Sequence, residues 1–117
     1  MRKFINIVNE GLTRDIPVDK IVKATISEFN RRTPEATGED INDGVWSLAF
    51  AEQVWEAMDR RGEVVPTETL DGVFGGHSVY KFEGKYYDAE DPDGVTDPRM
   101  MRFNLRRQAH AQANRRA

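Results

Sequence analysis

His77-Ser78-Val79-Tyr80-Lys81-Phe82-Glu83-Gly84-Lys85-Tyr86-Tyr87-Asp88-Ala89 reads as two strands around a tight turn. If Glu83-Gly84 is a two-residue loop, Phe82 faces Lys85, Tyr80 faces Tyr87 and Val79 faces Asp88. His77 and Asp88 then share a face as diagonal neighbours, roughly 7 Å apart at their Cα atoms and within reach of a carboxylate-to-imidazole hydrogen bond. Tyr80, Phe82 and Tyr87 occupy the opposite face. A three-residue loop would slip the register by one and part His77 from Asp88. The spacing therefore predicts a β-hairpin with one polar pair on one side and an aromatic cluster on the other.

Upstream of the hairpin the periodicity is helical. Gly44 to Arg61 predicts a long central helix with Phe50, Ala51, Val54 and Met58 on its apolar face, widened by Trp46, Leu48 and Trp55. Gly62 stops it after two arginines that suit the negative end of the helix dipole. Residues 17–31 open with Pro17 and carry Val18, Ile21, Val22, Thr25, Ile26 and Phe29 along one stripe, ending before Thr33-Pro34. Residues 2–10, with Phe4, Ile5 and Val8, predict a short helix closed by Gly11. Thr33–Asp43 reads as a loop in which Asn42 or Asp43 caps the central helix. Val64-Val65-Pro66 and Thr69–Phe74 read as strand or turn, and Glu90–Pro98 as an acidic surface loop. Helices followed by an antiparallel sheet give an α+β fold, with the sheet packed on the central helix. Phe4, Ile21, Val22, Ile26, Phe29, Phe50, Val54 and Met58 form the expected core.

The 117 residues suit one domain, long enough to bury about two-thirds of the unfolded chain's surface. With no cysteine, disulfides, thiolate zinc sites and a cysteine nucleophile are excluded. Met1-Arg2-Lys3-Phe4-Ile5 lacks the apolar run and cleavage site of a secretory signal, and no stretch has the eighteen or so apolar residues of a membrane helix. A cytoplasmic protein without membrane partners is the expectation. The net charge of −3 is unevenly placed: all 20 acids lie at or before Asp97, whereas Arg99, Arg102, Arg106, Arg107, Arg115 and Arg116 follow it. Residues 1–105 are expected to form the α+β domain and 106–117 a basic, weakly ordered tail. Such a tail could meet nucleic acid; without interleaved aromatics it reads better as a solvated end that pairs with the acidic body.

No cofactor or metal site is expected. In the acidic run, Asp91, Asp93 and Gly94 match a calcium loop, but Ala89 and Met100 fall where its first and twelfth ligands belong. Gly72–Gly76 lacks the ending of a phosphate loop and precedes a strand rather than a helix. The set with chemical content is Ser47, His77 and Asp88. Ser47 lies in the first turn of the central helix, where unpaired amides and the dipole favour a developing anion. His77 and Asp88 lie on adjoining strands, so the three match a nucleophile, a base and its orienter. Each residue alone is more often structural: a cap, a core histidine, a solvated aspartate.

Asn42-Asp-Gly-Val-Trp-Ser47-Leu-Ala-Phe-Ala51, Gly76-His77 and Gly84-Lys-Tyr-Tyr-Asp88-Ala-Glu-Asp-Pro-Asp-Gly-Val95 resemble small phage-type and bacterial proteins with a papain-like or transglutaminase-like core. There a cysteine at a helix start pairs with a histidine opening a strand and an Asp or Asn on the next. The resemblance covers about half of the chain and leaves out the first forty residues and the basic tail. It implies Ser47 at the nucleophile position, His77 as general base and Asp88 as the residue orienting the imidazole. Serine departs from the family pattern, since a hydroxyl needs its proton removed during attack while a thiol ionises readily. A lost activity, an inactivating exchange and a serine-based variant all fit that residue. Two functions follow as expectations: a cysteine-hydrolase-type domain for amide, peptide or isopeptide bonds, weak or inactive in this form, or a non-catalytic phage-encoded inhibitor of a host complex, for example an anti-CRISPR protein. Either implies a protein or peptide partner.

Overall fold

The structure is a computed structural model that describes residues 16–34, 37–42 and 46–116. The expected helix over 2–10, with Phe4, lies outside the described residues. Four helices and a three-stranded antiparallel sheet make up the described chain, so the α+β class stands.

Helix α1 spans Val18–Arg32, with Pro17 extended just before it, Asp19 in the first turn, and Arg31 and Arg32 in the last. It buries Ile21, Val22 and Thr25, with Ile26 and Phe29 packed at the margin. Helix α2, Gly38–Asn42, occupies part of the expected loop. Its cause is a capping box: Asp40 N donates to Thr37 Oγ1 (3.2 Å) and Thr37 N donates to Asp40 Oδ2 (2.9 Å). Helix α3 spans Trp46–Ala57 and turns Ser47, Phe50, Ala51, Val54 and Ala57 inward. It is shorter than the expected Gly44–Arg61: Arg60 N bonds Trp55 O (2.8 Å), and Asp59 and Arg60 adopt left-handed φ of 57° and 60°, which unwinds the end before Gly62. Trp46 and Leu48 are exposed, a correction to their expected burial, because they flank the inward stripe on either side.

Strand β1, Glu63–Pro66, pairs with β2, Ser78–Phe82, which pairs with β3, Lys85–Tyr87, in the order β1-β2-β3. The hairpin register is the expected one, Tyr80↔Tyr87 and Phe82↔Lys85. Glu83 and Gly84 both take positive φ, 49° and 78°, the geometry of a two-residue hairpin turn. The acidic loop folds back on β3, where Tyr86 and Val95 exchange backbone hydrogen bonds of 2.8 and 2.9 Å and cover that edge.

The sheet is packed on both faces. Tyr80 and Tyr87, with Phe82 beside them, meet the helical layer through Ile21, Val22, Ile41, Phe50, Val54 and Met58. Val65 and Val79 meet Met101 and Phe103 on the other face. That cluster takes Phe103 from helix α4, Arg102–Arg116, and Met101 from the residue before it; the helix runs through the expected boundary at residue 105 without a break. The segment expected as a weakly ordered tail is thus helical to Arg116. Its start is anchored: Asp91 Oδ2 accepts from Arg102 N (2.8 Å), and Arg106 forms two hydrogen bonds to Glu90 (2.7 and 3.0 Å). From Gln108 to Arg115 all residues but Ala111 are exposed.

Candidate functional site

Alternation along β2 and β3 delivers His77 and Asp88 to one end of the sheet. His77 Nε2 and Asp88 Oδ2 are 2.9 Å apart, with both side chains at most 2% exposed. Asp88 has further partners. Asn42 Nδ2 donates to Oδ2 (3.1 Å), and the backbone amides of Glu90 and Asp91 donate to Oδ1 (2.9 Å each). Four N–H groups therefore converge on its two oxygens, with the carboxylate as acceptor throughout. Because that oxygen accepts, Nε2 is the donor in this contact. Nδ1 is buried and has no hydrogen-bond partner. The ring lies against Phe103, centroids 4.2 Å apart.

Ser47 is buried on the inward stripe of α3. Tyr80 Oη donates to Arg61 O (2.5 Å) and Arg61 lies over the Phe82 ring, so β2 runs back along α3 and begins toward the Ser47 end. The faces differ, however. His77 follows the parity of Val79, on the side covered by Phe103, whereas α3 covers the Tyr80 side. Among the described residues, the imidazole bonds through Nε2 to Asp88, and Nδ1 has no hydrogen-bond partner. The structure thus brings together two of the three candidate residues.

Asp88 is also the centre of a wider polar network. Asn42 Nδ2 donates to Glu90 Oε1 (2.7 Å), and Ala89 N donates to Asn42 Oδ1 (3.3 Å). Arg106 joins Glu90 to Glu39, and Arg102 lies 3.7 Å from Asp91. Burial pushes the Asp91 carboxyl above its ordinary range, against the opposing bond from Arg102 N. The carboxylates of the calcium-like run are engaged within the fold: Asp91 caps α4 and Asp93 pairs with Lys23 at 3.0 Å.

Asn42, Phe103 and Arg106 matter here, and sequence reasoning assigned none of them to the site. Asn42 stood only as a helix cap, although it opens the motif that contains Ser47. Phe103 had no signal, because nothing in sequence places it over His77. Compared with family profiles, with curated proteins and with solved structures, the chain finds no match.

Proposed function

We propose that this chain is a binding protein on a papain-like, transglutaminase-like scaffold, in which the residues in catalytic positions act as a brace and turn nothing over. The observation that carries this reading is the enclosure of His77 under Phe103, with no hydrogen-bond partner at Nδ1 among the described residues. A general base needs its proton donor within hydrogen-bond reach. Serine strengthens the reading, since a hydroxyl is a far weaker nucleophile than a thiol. The donors gathered on Asp88 also exceed what orienting an imidazole requires; they tie α2, the hairpin and the acidic loop to one carboxylate. A protein or peptide partner in the cytoplasm, such as a host complex inhibited by a phage-encoded protein of the anti-CRISPR kind, suits this function.

One observation favours a residual hydrolase instead: the bond to Asp88 engages Nε2 and leaves Nδ1 for the contact that a papain-like nucleophile would make. Stability separates the two. As a brace, Asp88→Ala strands buried N–H donors and the imidazole, and lowers unfolding free energy by about 3–5 kcal/mol in denaturant melts. Residues kept for catalysis tend to be neutral or costly to stability. An Asp88→Ala protein as stable as the parent would overturn the brace.

A further inference from the structure

Beside the hairpin, Gly72, Val73 and Phe74 form one wall of a groove of about 350 Å³, with Gln108 and Arg115 of α4 on the other. We infer that this groove docks an acidic peptide segment in which an apolar side chain adjoins a carboxylate; the inference rests on the binding-protein reading and gives it a surface.

The wall is built in advance. Asn104, fully buried, accepts from Phe74 N (2.8 Å) and donates to Arg99 O (3.0 Å) and Gly72 O (3.5 Å). Arg107 Nη1 donates to Gly75 O (2.6 Å). These bonds fix the loop backbone while the Phe74 ring stays 39% exposed. An apolar surface held in place loses little further freedom when a ligand covers it. Met100 and Leu105, next in sequence to Arg99 and Asn104, are exposed as well.

Charge selects the occupant. Arg99 pairs with Asp97, Arg102 with Asp91 and Arg106 with Glu90, while Arg107 is bonded to Gly75 O and lies over the Phe103 ring. Arg115 lines the groove and, among the described residues, has no ion pair or hydrogen bond. What the groove lacks is one carboxylate beside one apolar group. A nucleic acid fits worse: its affinity comes from several phosphate contacts, and the arginines up to Arg107 are already engaged. The acidic body also repels a polyanion.

The test is a titration of the full chain, amide-labelled for NMR, with a capped leucyl-glutamate dipeptide and its leucyl-glutamine counterpart, each to roughly 20 mM, since so small a ligand binds in the millimolar range. The expected result is shifts confined to Gly72–Phe74 and Gln108, with the glutamate form binding about three- to fivefold tighter. Arg115→Gln should erase that preference and Phe74→Ala should weaken both ligands. Both side chains are exposed, and an unchanged spectrum elsewhere verifies folding. Equal binding of the two dipeptides, shifts elsewhere or no shifts would overturn the proposal; so would a twelve-residue oligothymidylate that shifts the same amides more tightly than the dipeptide. Failure here leaves the Asp88→Ala melt unaffected, so a wrong groove and a wrong brace are told apart.

Discussion

Asp88 shows how one side chain serves several elements. Its oxygens accept from a strand-end imidazole, a helix-end amide and two loop amides, so three separate elements meet on one carboxylate. Asn104 plays the same part for the loop around Phe74, with three bonds at one buried amide. Asn104→Ala should therefore cost about 1–3 kcal/mol and increase hydrogen exchange at Phe74, which a denaturant melt and amide exchange would read. In the core, Phe50→Ala should cost about 3–5 kcal/mol, since the ring is buried and meets Phe29 edge-on at 5.5 Å. A loss below about 1 kcal/mol would mean that α3 presents another face to the sheet.

Among the elements, the hairpin was legible and α4 was not. Glu83-Gly84 fixes the register of every pair that follows, so the juxtaposition of His77 and Asp88 could be derived from the turn alone. Helix α4 lacks an apolar stripe of its own beyond Phe103; its first turns are held by Asp91, Glu90 and Gly75, distant in sequence. Removing residues from Gln108 onward should leave the melting temperature within about 2 °C, whereas removing them from Arg106 onward should lower it by about 4 °C or more, because the Glu90 pair is lost. Helix α2 adds a pH signature. The bonds from Thr37 hold the Asp40 carboxyl below its ordinary range, so its stabilising effect is complete above about pH 4 and fades as pH falls through the lowered value. Asp40→Asn should remove that acid limb in melts against pH. Asp91 has the opposite sign: its raised carboxyl makes stability grow as pH falls toward about 4, a rise that Asp91→Asn should abolish.

At the scale of the molecule, the split between an acidic body and a basic end is resolved internally. Arg102 and Arg106 meet Asp91 and Glu90, so the charge asymmetry joins α4 to the acidic loop. The sequence could suggest that pairing, but not that α4 would cover His77. Strand parity decides the candidate site, and it needs the position of the helices as well as that of the hairpin: Ser47 comes from the layer on one face and the imidazole follows the other. The proposed brace holds the fold together without chemistry, and a thiol placed at residue 47 tests it most directly. The measurement is the rate of iodoacetamide alkylation of Ser47→Cys between about pH 6 and pH 9, with and without His77→Ala. The account predicts a thiol that reacts no faster than free cysteine at any pH and is indifferent to His77. A thiol that outpaces free cysteine near neutrality, and slows when His77 is replaced, would contradict it and favour the hydrolase reading.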